Sequence, residues 1–300
     1  MGCMDAYPDR FMALFEKRGE PATVVDGRIF KLYSGMVVPF GPAEADYSVS
    51  PGQAARALRA LGGTVLRTTT GFGSVPPGGD WYAVICRRFT PVDEISSSNT
   101  RSKLRRAMRN CEVRRLTAAD VAGAGYEVYV KAFERYRGTE TPVAHSLFAN
   151  HIMAGEGFDD VIEHWGVMVD GELAGYSTNY VFGSTEASYS ALKFDPAHLR
   201  KYSSYALFHA MNEHYLGEGR VAYVNDGFRS VLHDTELQDF LERTFGFEKA
   251  YTGIDAFYRR PFGAFVRATF PFRKVIGRLD ERAHAVYELE RAVRAARMQA

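Results

Sequence analysis

The run Trp165-Gly166-Val167-Met168-Val169-Asp170-Gly171-Glu172-Leu173-Ala174-Gly175-Tyr176 opens the stretch that decides the fold. Its apolar residues alternate on either side of Asp170-Gly171, a dipeptide suited to the left-handed turn that joins two antiparallel strands. Ser177 to Phe182 and Ala187 to Phe194 follow, rich in Tyr, Val, Thr and Phe and separated by Gly183-Ser184, so three antiparallel strands in succession are predicted. The period then changes. From Pro196 to Tyr215 the residues Leu199, Ala206, Leu207, Ala210 and Met211 recur at helical spacing, with Pro196 suited to a first turn. Val221 to Val224 reads as a strand, and Asp234 to Thr244 as a helix closed by Gly246. Upstream, Val113 to Leu116 and Ala118 to Tyr136 supply a leading strand and helix.

This order resembles the GNAT acyltransferase fold, an α+β architecture. The ending Leu241-Glu242-Arg243-Thr244-Phe245-Gly246-Phe247 is similar to the F-Y-x-K-x-G-F close of that fold's last helix. The helix after Phe194 stands where the family binds the pyrophosphate of coenzyme A.

Composition bounds the alternatives. With 300 residues and 46% hydrophobic content the chain can bury one large core or two modest ones, and length favours two. A net charge of +1 argues against a globally basic nucleic-acid binder. No apolar run is long enough for stable membrane insertion and no secretory leader is visible in Met1 to Glu20, so the cytoplasm is expected. Met1-Gly2-Cys3 suggests lipidation, but Ala6 stands where a myristoylation signal wants Ser or Thr. Cys3, Cys86 and Cys111 lack C-x-x-C spacing, which points to reduced thiols and to neither a disulfide frame nor a metal site.

The first hundred residues carry elements of their own. Phe11 to Glu16 reads as a short helix, Thr23 to Val38 as a hairpin about Asp26-Gly27, Pro51 to Leu61 as a helix, and Thr64 to Thr69 and Trp81 to Arg87 as strands. Ser96-Ser97-Ser98-Asn99-Thr100 is a helix-start cluster for Arg101 to Asn110. On that helix Arg101, Arg105 and Arg109 share one face, beside Lys103 and Arg106, with Leu104 and Met108 expected inward. Such a face either neutralises phosphates or is an ordinary solvated side.

With the serine-rich cap followed by T-R-S-K-L-R-R-A-M-R-N, the chain from about Arg28 to Arg260 resembles the FemAB-type branch of the GNAT superfamily, in which two GNAT-like domains sit in tandem. The resemblance implies a degenerate N-terminal domain with its basic linker helix at 1–112, an acyltransferase domain at 113–261 and a helical tail at 262–300. It also implies transfer of an acyl or aminoacyl group to an amine of a small molecule or peptide. The co-substrate would be acyl-CoA or aminoacyl-tRNA, with no tightly bound cofactor and with tRNA as a partner. Two departures stand out. Glu242 occupies the place of the lysine of one subfamily and of the acid-catalysing tyrosine of the other. The donor loop, Leu199-Arg200-Lys201-Tyr202-Ser203-Ser204-Tyr205, keeps Arg200 but has Ser203 and Tyr205 where coenzyme A enzymes have glycine, which favours a bulkier or differently held donor. The competing class is a non-catalytic GNAT-shaped module that binds a ligand or partner.

Acyl transfer to an amine requires a base and an oxyanion donor but no covalent intermediate, and no Ser-His-Asp or Cys-His set is evident. Asp226 is the first candidate base, although Asp226-Gly227 also reads as a plain turn; Glu163, His164 and Glu242 are alternatives, and His233 a weaker one. Arg200 and Lys201 would hold donor phosphates, with the hydroxyls of Ser203 and Ser204 as donors. Beyond Arg260, Phe262, Phe265, Val266, Phe270 and Phe272 interleave with Arg267, Arg273, Lys274 and Arg278. Such segments lie on membranes, bind nucleic acid or, most often, dock; packing of the aromatics on the first domain is expected. Leu279, Val286 and Val293, seven apart, would suit a homodimer contact.

Overall fold

The computed structural model describes residues 7–135, 141–229 and 236–299. In chain order its elements are α1 (Tyr7–Arg18), β1 (Ala22–Val25), β2 (Arg28–Tyr33), β3 (Met36–Phe40), α2 (Pro51–Ala60), β4 (Val65–Thr70), β5 (Tyr82–Cys86), α3 (Ser98–Asn110), β6 (Cys111–Leu116), α4 (Ala118–Ala122), α5 (Ala124–Ala132) and α6 (His145–Met153). There follow β7 (Ile162–Val169), β8 (Glu172–Phe182), β9 (Glu186–Phe194), α7 (Ser203–Asn212), β10 (Tyr223–Phe228), α8 (Glu236–Phe245), β11 (Glu248–Tyr251), β12 (Gly253–Tyr258), α9 (Arg260–Thr269), α10 (Arg273–Ile276) and α11 (Glu281–Gln299). The Met1-Gly2-Cys3 reading, Tyr136, His233 and Asp234 fall outside the described residues. The chain divides into two compact units, one of residues 1–18, 85–227 and 240–248, the other of 19–84, 228–239 and 249–300. The fold class is α+β, as the order of elements predicts.

The seven-stranded sheet has the order β11-β5-β10-β9-β8-β7-β6. β7 and β8 pair antiparallel from Ile162↔Tyr180 to Val169↔Glu172 about the Asp170-Gly171 turn, where both residues have positive φ (52° and 86°), the conformation this dipeptide tolerates. A Cβ at Gly175 would lie 2.5 Å from the Phe194 ring and 3.0 Å from the Lys193 carbonyl, so β8 and β9 approach too closely there for any side chain. Successive strand residues face opposite sides. Tyr176 faces α4, α5 and α6 and packs with Leu116, Val121, Val128, Phe148 and Ile152. Asn179 faces the opposite side, where its amide reaches the Met211 thioether of α7 at 3.3 Å.

Three elements depart from the sequence reading. The helix expected from Ala118 to Tyr136 is α4, α5 and a 3₁₀ turn at Phe133–Arg135, because Gly123 (ψ −94°) leaves the helical region between α4 and α5. The segment from Pro196 begins as a 3₁₀ turn to Lys201, passes through Tyr202 in the left-handed region (φ 65°), and becomes α-helical only at Ser203. The strand expected at Val221 to Val224 is β10, which runs on to Phe228 and so includes Asp226.

The second unit holds a five-stranded sheet, β1-β2-β3-β4-β12. Ser50 and Gln53 form a reciprocal capping box at the start of α2, whose Ala54, Ala57 and Leu58 bury against Phe30, Val37 and Leu66. On α11, Leu289, Ala292 and Val293 pack with Val65, Ile254 and Ala256, and Val286 and Phe262 join that cluster. The stripe expected to seat another chain is therefore used in part within this unit. Leu279 stays 82% exposed.

Candidate functional site

β9 and β10 run parallel, yet they pair only at Tyr223↔Glu186, Val224↔Ala187 and Asn225↔Ser188. Just beyond, β9 bulges against β8. Thr178 faces Ala191 and Asn179 faces Tyr189, leaving Ser190 opposite no residue. From Tyr189 to Phe194, then, β9 carries no ladder to β10 among the described residues, which leaves backbone N–H and C=O groups along that edge. A bulge at such a point re-aims the backbone.

Asp226 stands on the β10 side of this opening, half-buried, between Asn225 and Gly227 (φ 105°). Its predecessor is locked: the buried Asn225 amide donates to Glu186 Oε1 at 3.0 Å, and Asn225 Oδ1 accepts from the Gly227 N–H at 2.7 Å. Glu186 Oε2 also accepts from the Tyr223 hydroxyl at 2.7 Å. Alternation turns Asp226 to the side opposite Asn225, the side of Tyr189. Burial, followed by Tyr215, Cys86 and Asp226 nearby, pushes the Tyr189 phenol well above its ordinary pKa; protonated, it donates to Asn212 Oδ1 at 2.6 Å.

β9 leads into the 3₁₀ turn and α7. Asp195, buried, caps that turn by accepting from the Ala197 N–H at 2.9 Å and pairs with Lys131 at 3.0 Å. Although burial opposes its ionisation, those two partners and His198 hold the carboxyl below the usual range. Arg200 and Lys201 are exposed just ahead of α7, and Leu199 is half-buried, its carbonyl accepting from the Tyr202 N–H. Ser203 is fully buried and its hydroxyl turns back to the His198 carbonyl at 3.3 Å, whereas Ser204 is half-buried. Among the described residues no side chain caps the N-terminus of α7, so its first amides keep their donor capacity.

The basic helix α3 starts at Ser97, whose hydroxyl accepts from the Thr100 N–H. It buries Leu104 and Ala107; Met108, expected inward, is 56% exposed, because Ala107 takes the inward position instead. Arg101 binds the carbonyls of Ile95 and Ser96, and Arg105 pairs with Asp93 at 2.7 Å. Arg109 has no carboxylate partner among the described residues. Lys103 reaches toward α7, its Nζ 3.5 Å from the Tyr205 hydroxyl, and the Tyr205 ring packs edge-on to Phe240 of α8.

Glu163 and His164, adjacent on β7, point to opposite faces and cannot serve one site together. Glu163 lies at the centre of a polar network that sequence reading missed. It pairs with Arg115 and accepts from the Tyr215 phenol at 2.6 Å; Tyr215 in turn accepts from Trp165 and Asn179, each at 3.2 Å, and Ser177 donates to Asn179 at 2.5 Å. His214 stacks edge-on to Trp165 and lies 3.8 Å from Glu163. Burial opposes the Glu163 charge, but Arg115 and Tyr215 outweigh it and hold its pKa below the ordinary value. The legible signal was Glu163 with Trp165, and Ser177 with Asn179: polar groups two apart on strands whose same face is otherwise apolar. Tyr215 sits on a π-turn at Glu213–Gly217, a break in helical period that no residue pattern announces. His164, buried, shares a 2.9 Å hydrogen bond with Thr178; burial and the charges of Arg18 and Arg115 lower its pKa to about 4, so it is neutral at pH 7. Glu242 is half-buried on α8. No cluster of His, Cys, Asp and Glu able to hold a metal ion occurs among the described residues.

Neither a protein-family model nor a curated protein sequence matches the chain. Solved structures do. FemX superposes with a TM-score of 0.56 at 11% identity over 86% of this chain and 93% of FemX. The chain shares the fold of FemX. The C-terminal domain of an Agrobacterium fabrum protein described as a lysylphosphatidylglycerol synthetase gives 0.52 at 12% identity over 84% of this chain and 86% of that domain. A Bacteroides thetaiotaomicron protein of unknown function gives 0.51 at 9% identity over 82% and 87%. Asp226 and the β9 edge flank the parting of β9 from β10, and β9 leads on into the start of α7; the Tyr215 ring of the Glu163 network lies 6.3 Å from the Tyr189 ring on the same face.

Proposed function

We propose that this protein transfers an acyl or aminoacyl group from an activated donor to an amine. The parting of β9 from β10 at the Ser190 bulge carries this reading, because it frees an extended backbone edge that leads directly into an uncapped helix start flanked by Arg200 and Lys201. An acyl donor with phosphates would lie along that edge, its anionic end at the start of α7. The acceptor ammonium gives a proton to Asp226, the amine attacks the donor carbonyl, and a backbone N–H on the β9 edge meets the oxyanion. The C–N bond forms, the C–S or C–O bond to the carrier breaks, and the departing thiol or hydroxyl takes a proton. The structural neighbours support an acyltransferase fold.

The donor is acyl-CoA or aminoacyl-tRNA, and the second is favoured by the Ser203 hydroxyl, which is already turned to His198, and by the α3 cations next to α7. A ligand-binding module without turnover is the alternative. Amide hydrogen exchange with acetyl-CoA and, separately, with aminoacyl-tRNA tests the location. Slowed exchange at residues 189–194 and in the first turn of α7 is expected from the true donor, and Arg200→Ala with Lys201→Ala should weaken that donor's binding without unfolding the chain. Protection confined to other segments would overturn the assignment.

A further inference from the structure

From Ala256 to Leu279 the chain has no acidic residue but contains Arg259, Arg260, Arg267, Arg273, Lys274 and Arg278. All of these except Arg273 are exposed, and none of the exposed five forms an ion pair among the described residues. Val266 and Gly263 face inward from α9, while the large apolar side chains between the cations point to water: Phe265 is 56% exposed, Phe272 64%, Val275 63% and Leu279 82%. Single exposed apolar residues are ordinary. Four of them interleaved with unpaired cations over fifteen residues are not.

Beside them lies a surface hollow of about 360 Å³, lined by Arg273, Lys274, Arg278, His284, Tyr287 and Glu288. The carboxylate of Glu288 is bound to Arg291 at 2.8 Å, so the lining cations are left to dominate the hollow. Phe270 is already engaged, lying under the guanidinium groups of Arg273 and Arg294 at 4.6 and 3.9 Å, which fixes the turn between α9 and α10.

We propose that residues 259–279 are a docking surface for an anionic lipid bilayer. The hollow takes a phospholipid headgroup phosphate while Phe265, Phe272, Val275 and Leu279 enter the acyl boundary. The pairing of apolar and cationic groups decides the occupant: phosphate alone accounts for the cations, but exposed aliphatic side chains gain nothing from RNA and do gain from hydrocarbon. Because no described helix is long and apolar enough to cross a membrane, the contact lies in the plane of the interface.

Vesicle co-sedimentation of the full chain tests this. Vesicles of phosphatidylcholine with phosphatidylglycerol should bind it, pure phosphatidylcholine should bind it far less, and salt should weaken the binding. Arg267→Glu with Lys274→Glu and Arg278→Glu should lower the affinity roughly 100-fold, and Phe265→Ser with Phe272→Ser roughly tenfold or more. Both variants change exposed positions, and an unaltered melting temperature confirms that they fold. Equal binding to neutral vesicles, wild-type binding by both variants, or binding of tRNA in place of vesicles through the same residues would overturn the proposal.

Discussion

The Tyr215 phenol donates a 2.6 Å hydrogen bond to the Glu163 carboxylate and fastens the π-turn that follows α7 to the start of β7. The same oxygen accepts from Trp165 and Asn179, so one hydroxyl completes several buried polar groups. Tyr215→Phe keeps the ring and strands those donors. The expected cost is about 1–3 kcal/mol in chemical denaturation. A midpoint and slope unchanged from wild type would show that water replaces the phenol.

Acid should expose the Glu163 charge. Its folded pKa lies below the ordinary carboxylate value, so its stabilisation is complete above the unfolded pKa and is lost as pH falls through the folded one. Glu163→Gln should remove that acid-side loss from a stability-versus-pH profile. A variant profile as steep as wild type in this window would place the acid-labile group elsewhere.

His164 gives a second, higher window. Its folded pKa is about 4, below the unfolded value near 6.5. Between these values the unfolded chain takes up a proton that the folded chain refuses, so stability falls as pH drops from about 6.5 to 4, at up to about 1.4 kcal/mol per pH unit. His164→Gln should flatten that slope. Identical slopes in the two proteins would contradict a neutral, buried His164.

The α3 arginines are unequal once their partners are known. Arg101 holds backbone carbonyls and Arg105 holds Asp93, whereas Arg109 meets no carboxylate among the described residues. If this face contacts phosphates of a tRNA donor, Arg109→Ala should reduce the salt slope of binding by about one, and Arg101→Ala should cost stability as well. Salt-independent tRNA binding would assign the face to ordinary surface.

These residues also show what the sequence could and could not convey. The hairpin at Asp170-Gly171, the serine-capped basic helix and the turn at Gly246 were legible because local backbone chemistry alone demands them. Asp226 was legible as a candidate beyond the end of a strand, but not as part of it: β10 runs through Asp226 to Phe228 beside β5, a strand far back in the sequence, and no local pattern encodes that pairing. The Glu163 network was legible only as polar residues two apart on β7 and β8, because Arg115, Tyr215 and Asn179 converge only when β6, β7, β8 and the π-turn are assembled. Ser203 shows the opposite error. Its hydroxyl fits a phosphate site in sequence, yet the left-handed Tyr202 rotates it into the fold.

The central claim is that an acyl group moves to an amine at the opening between β9 and β10, with Asp226 taking the proton. The measurement that bears on it most directly follows a label from acyl-CoA or aminoacyl-tRNA onto a panel of amines, comparing wild type with Asp226→Asn. The account predicts labelled amide from the wild type and a rate roughly 10²-fold lower in the variant, with donor affinity little changed and the acid-side limb of the pH–rate profile lost. Donor bound by both proteins with label never leaving the carrier, or leaving at equal rates, would contradict it.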